Sequence, residues 1–114
     1  MRVLRITLIA VLLCVLSGCA KPIAPERGAY VGDWRGMAMA ILITPDGSVA
    51  YRRLESGMSK SISGPLREFD GDDFLVGFWP FSARFVVTVP PHQVGEAWKM
   101  TVDGVELTRR PWGY

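Results

Sequence analysis

Ala97-Trp98-Lys99-Met100-Thr101-Val102-Asp103-Gly104-Val105-Glu106-Leu107-Thr108-Arg109-Arg110 alternates apolar and polar residues on both sides of Asp103-Gly104. A period of two marks a half-buried strand, and Asp-Gly suits a two-residue hairpin turn because both central positions need a positive φ. The resulting register puts Trp98, Met100 and Val102 on one face with Val105, Leu107 and Arg109. Lys99, Thr101, Glu106 and Thr108 fall on the wet face, where Lys99 and Glu106 stand diagonally across the pair.

Working back from this hairpin, residues 83–89 set Phe85, Val87 and Val89 against Arg84, Val86 and Thr88. Pro90-Pro91 predicts the end of that strand, because proline cannot donate to a ladder. Residues 73–81 are the most hydrophobic run outside the N-terminal segment: Phe74, Val76 and Phe78 point one way, Leu75 and Trp79 the other, so both faces need cover. Residues 55–63 read as a polar loop running into a weak strand over 59–63, which Gly64-Pro65 breaks before a further strand over 66–69. Thr44-Pro45-Asp46-Gly47-Ser48 has the chemistry of a three-residue hairpin with a bulge. That turn pairs Ile43 with Val49 and Ile41 with Tyr51, with Arg53 on the same face. Residues 36–43 read as one strand, with Met37, Met39, Ile41 and Ile43 on one face. Its other face, Ala38, Ala40 and Leu42, is small but also apolar. No long segment has a helical period. Six or seven short strands joined by tight turns predict an all-β antiparallel meander. It must curl into a small barrel or strongly curved sheet to protect its edges.

The N-terminus reads differently. Arg2 and Arg5 precede an apolar run over residues 6–16 that only Thr7 interrupts, too short to span a bilayer comfortably and suited to a secretory signal helix. Leu16-Ser17-Gly18-Cys19 follows directly. This order of charged start, apolar core and Leu-Ser-Gly-Cys resembles the lipobox of bacterial lipoproteins. The resemblance implies that the cysteine thiol receives a diacylglyceryl group, that acyl chains such as palmitate are added, and that the signal is cut before Cys19. Two or three acyl chains, at about 0.8 kcal/mol per buried methylene, make such an anchor effectively permanent. Ala20 stands where inner-membrane retention in Gram-negative lipoproteins uses aspartate, so for a Gram-negative source the resemblance implies the periplasmic face of the outer membrane.

With residues 1–18 gone, the 114-residue chain keeps 96. Cys14 leaves with the signal and Cys19 is taken by lipid, so no disulfide staples the core. Losing Arg2 and Arg5 from 13 basic residues leaves 11 against 11 acidic ones, a formally neutral chain that gives no electrostatic footprint for nucleic acid. Residues 19–28, with Pro22, Pro25 and Gly28, read as the lipidated cysteine and a flexible tether that could hold the domain up to about 30 Å from the anchor. Residues 29–114 form the β-domain.

No catalytic set stands out, and the chain reads as a non-enzymatic protein without a cofactor. His92 is the sole histidine, in a loop beside Pro90 and Pro91, a poor start for a metal site or a triad. Asp70, Asp72 and Asp73 form an acidic turn that lacks the spacing and the closing glutamate of a calcium loop. Ser56, Ser59, Ser61 and Ser63 lack a nucleophile-elbow context.

Gly32-Asp33-Trp34, an antiparallel meander and Arg109 on the last strand together resemble the Gly-x-Trp opening of lipocalins and related calycin barrels. The resemblance implies that Trp34 closes one barrel end and that Arg109 packs over it. Three functional readings follow. In the first, the curved sheet holds an apolar or amphipathic ligand, lined by Trp34, Met37, Met39, Ile41, Tyr51, Trp98 and Met100, with Arg53 or Arg109 pairing a ligand carboxylate. In the second, an apolar outer face around Leu75, Trp79 and Phe81, with Trp112 and Tyr114, docks an envelope protein or membrane. The third, a periplasmic protease inhibitor, comes from fold analogy alone.

Overall fold

A computed structural model describes residues 20–77 and 80–111. The signal segment, Cys19, Phe78, Trp79, Trp112 and Tyr114 lie outside the described residues.

Within them the chain forms a short 3-10 helix, Pro25–Tyr30, and nine strands. These are β1 (Gly32–Gly36), β2 (Met39–Ile43), β3 (Ser48–Glu55), β4 (Met58–Asp70), β5 (Asp73–Val76), β6 (Ala83–Phe85), β7 (Val87–Val94), β8 (Ala97–Val102) and β9 (Val105–Arg110). All pair antiparallel in a single sheet of order β6-β5-β4-β3-β2-β1-β9-β8-β7, curled into a half-barrel. The all-β class and the curled meander hold, but nine strands replace the six or seven expected.

Alternation fixes the register where it is clean. Met100 faces Leu107, Thr101 faces Glu106 and Val102 faces Val105 around Asp103-Gly104, and Lys99 reaches diagonally to Glu106 at 3.4 Å. Ile43 faces Val49 and Ile41 faces Tyr51.

The extra strands have local causes. Residues 36–43 are not one strand: Gly36 pairs with Met39, so Met37 and Ala38 form a two-residue turn, with Ala38 at φ 60°. Met37, expected to line the interior, therefore stands on a hairpin tip, 90% exposed. The weak strand expected over 59–63 is there, but no loop precedes it: a Ser56-Gly57 turn pairs Glu55 with Met58, and β4 runs on unbroken from there. Gly64-Pro65 does not end β4. It marks where the strand changes partner, from β3 up to Pro65 to β5 from Leu66 onward. Pro90-Pro91 does not end β7 either; the register shifts around them, and the bulge absorbs the missing donors on an edge strand, where proline is tolerated.

The sheet's two ends, β6 and β7, are consecutive in the chain and separated only by Val86. Three hydrogen bonds tie this corner. Val87 N donates to Asp73 Oδ1 at 2.8 Å, Val86 N donates to Asp103 Oδ1 at 2.9 Å, and Asp103 N donates to Val86 O at 2.8 Å.

The core lies inside the curl. Trp34, Ile41, Ile43, Phe74, Met100, Val102 and Leu107 have no measurable exposure, apart from their neighbours Val76 and Phe85 at 1–2%. Each such side chain contributes about 1.5–3 kcal/mol by leaving water.

Candidate functional site

Three places were singled out by sequence: the interior, the closed end at Trp34, and the outer face near residue 79. At the closed end, β1 lies between β2 and β9, and the register sets Trp34 opposite Arg109. The Arg109 guanidinium carbon lies 5.8 Å from the Trp34 ring centre and 4.9 Å from that of Trp98, so the cation sits between two indoles. Gly32 makes room for it: a Cβ there would come within 2.4 Å of Arg109 Cδ and 2.7 Å of Cγ. Trp34 Nε1 donates to Tyr30 O at 2.8 Å, which satisfies the one polar atom of a fully buried indole. Tyr30 is buried below it and donates its hydroxyl to Asp72 O at 2.9 Å. Burial pushes the Tyr30 phenol up, the Asp72 charge adds to that, and Arg27 opposes it. Arg109 Nη1 also donates to Val31 O at 3.5 Å, and among the described residues no buried side-chain nitrogen or oxygen lacks a hydrogen-bond partner.

The interior is occupied by the protein's own side chains. Phe74 stacks on Phe85 at 5.1 Å, Phe85 meets Tyr51 edge-on at 5.0 Å, and Tyr30 joins Phe69 at 4.8 Å. Tyr51 and Trp34, proposed as ligand contacts, are members of this core. Trp98 is partly buried against it. Arg53 stands opposite Met39 and leans toward Glu55, 3.8 Å away, with a partly exposed side chain. Arg53 and Arg109 are therefore at different places, one near the β3 tip and one in the cap.

On the outside, Leu75 is half-buried opposite Arg84 on β6. Phe81, in the β5–β6 connection, is 82% exposed. Trp79 lies outside the described residues. The Asp70 to Asp73 turn is clamped by Arg84, which donates to Asp70 at 2.9 Å and to Asp73 at 3.2 Å. The Asp70 carboxylate first, and Asp73 with it, raises the Arg84 guanidinium above its ordinary value. His92 donates its Nδ1–H to Pro90 O at 3.0 Å. Among the described residues no cluster of three or more His, Cys, Asp or Glu side chains could hold a metal ion.

One surface feature was not singled out by sequence. Adjoining concavities of about 320 and 330 Å³ run over the outer face of β1 to β4, floored by Ala40, Leu42, Ala50, Ser61 and Ser63. A third, of about 210 Å³, continues them toward Leu54. The groove exists because short side chains lie opposite one another, Leu42 facing Ala50 and Ala50 facing Ser63. Arg35 and Arg52 flank it. Arg35 is held by Asp33 at 2.8 and 3.3 Å, and that hydrogen bond raises its guanidinium. The small second face of Ala40 and Leu42 was the available signal.

No family model, no curated protein and no solved structure matches the chain.

Proposed function

We propose that this protein is a lipid-anchored, non-enzymatic lipoprotein of the bacterial envelope that acts through the outside of its β-domain. Cys19 is the acylated residue, and for a Gram-negative source the domain faces the periplasm from the outer membrane. The single observation that carries the surface reading is the filled interior: Trp34, Tyr51, Phe74 and Phe85 occupy the space an apolar ligand would need. Packing of that kind leaves no room for an acyl chain without displacing core rings. The exposed Phe81 and half-buried Leu75, together with the Trp79 between them in sequence, supply the apolar contact an envelope partner would use.

Two measurements test this. Metabolic labelling with palmitate is expected to mark the wild-type chain and not Cys19→Ser, which should accumulate with its signal attached. A photocrosslinking residue at position 81 is expected to form a specific adduct in intact cells, while one at the exposed Gln93 does not. Identical adduct patterns from both positions would remove the docking face.

A further inference from the structure

Residues 20–28 have the composition of a leash, yet the chain is fastened from Lys21 onward. Ile23 N donates to Pro45 O at 3.0 Å, and the Ile23 side chain packs on the core. The Lys21 carbonyl lies against the β2–β3 turn so closely that a Cβ on Gly47, at φ 91°, would sit 1.9 Å from its oxygen. Arg27 N closes the next turn onto Ala24 O at 2.9 Å, and its guanidinium lies 4.6 Å from the Phe69 ring centre. Tyr30 finishes the segment as a core residue. The flexible tether expected over residues 20–28 is thus replaced by a fastened strap, because Ile23 and Tyr30 supply apolar anchors that pull the intervening backbone down.

Resting on the reading of Cys19 as the acylated residue, we propose that the domain sits directly on the phospholipid surface in one orientation. The end bearing the β2–β3 turn faces the headgroups. Only Ala20 separates Cys19 from Lys21, a reach of about 7 Å at roughly 3.5 Å per residue, against the 30 Å that a free leash would allow. The opposite end then points away from the lipid. There the β1–β2 and β3–β4 tips meet, Leu54 N donating to Ala38 O at 2.8 Å, and Met37, Leu54 and Met58 stand exposed. The eight residues of β3 separate the two ends by about 25 Å. The lipid-facing surface holds Lys21, Pro45 and Asp46, all exposed and of both charge signs, a composition compatible with zwitterionic headgroups.

The test uses the full lipidated protein in vesicles of phosphatidylethanolamine and phosphatidylglycerol carrying a nitroxide on the headgroup. The mature chain has no other free thiol, so Asp46→Cys and Met58→Cys, both at exposed positions, each take a single fluorophore. Quenching is expected to be several-fold stronger at position 46 than at 58. Inserting about 12 Gly and Ser residues after Ala20, a coil of roughly 20 Å, is expected to abolish the difference. Equal quenching at 46 and 58 in the natural-length protein overturns the proposal, as does a difference that survives the insertion. Intact mass separates this from failure of the underlying reading: a chain without acyl mass on Cys19 overturns the anchor itself, whereas an acylated chain quenched equally at both positions overturns only the orientation.

Discussion

Gly32→Ala probes the cap most directly. The new Cβ would lie 2.4 Å from Arg109 Cδ, far inside contact distance, so the arginine must leave the groove between Trp34 and Trp98. The contact with two indoles is worth about 0.5–2 kcal/mol. The backbone at position 32, at φ 155°, adds a further cost of about 1 kcal/mol for any residue with a side chain. The expected total is about 2 kcal/mol, or roughly 8–16 °C in Tm for a domain of this size. A double-mutant cycle with Arg109→Ala separates the two parts. In the Arg109→Ala background the steric part disappears and only the backbone part stays, which predicts a coupling of about 1 kcal/mol. Urea unfolding followed by tryptophan fluorescence reads it, since Trp34 and Trp98 are themselves the reporters. Additive costs, to within about 0.3 kcal/mol, would show that Gly32 is not there to admit Arg109.

Other predictions concern the core, two turns and the acid limb. Phe74→Ala removes the ring at the centre of the aromatic row and is expected to cost about 3–5 kcal/mol, a large share of a small domain's total stability, read as a lowered midpoint in thermal unfolding by circular dichroism. Ala38→Gly relieves a non-glycine residue at φ 60° and is expected to raise stability by about 0.5–1 kcal/mol in thermal melts; a lower Tm would contradict the turn geometry. Tyr30→Phe removes the hydroxyl bond to Asp72 O and is expected to cost about 1 kcal/mol in urea unfolding, with no change if that bond carries nothing. The Thr44 hydroxyl donates to the Asp46 carboxylate, and this bond, ahead of all other causes, lowers the carboxyl's pKa. A lowered folded-state pKa gives stability that is complete above the unfolded value of about 3.9 and lost as pH falls through the folded one. Thr44→Val is therefore expected to flatten that part of the acid limb, and parallel urea-midpoint curves for the two proteins below about pH 4 would refute it.

Legibility tracked how much of each element was decided by neighbours in sequence. The β8–β9 and β2–β3 hairpins could be registered residue by residue because alternation and turn chemistry agree there. The Met37-Ala38 turn could not, since neither residue favours positive φ and both sit inside an apolar alternation that reads as one strand. It is the pairing of β1 with both β2 and β9 that forces the chain to turn. Pro65 and Pro91 read as stops because a proline removes a donor, and whether the missing donor faces a partner or an edge is settled only in three dimensions. The strap over residues 21–30 has the composition of a linker, and only Ile23 and Tyr30 hint at docking. Within the candidate sites, Trp34 and Arg109 are linked in sequence only by resemblance. The outer groove is faintly visible in the small face of Ala40 and Leu42.

Every ladder in the sheet joins strands adjacent in the chain except one, β1 with β9. During synthesis each hairpin can therefore zip as soon as its second strand appears, but one edge of β1 has to wait for the last strand to be made. Until then Trp34 lacks the strand that carries Arg109, and the backbone of β1 offers an open edge to any passing strand. Chains truncated before Val105 keep most of their hairpins yet lose the joint that turns a ribbon of them into a closed cap. Among the described residues, the six-residue β9 thus decides whether β1 is paired on both edges.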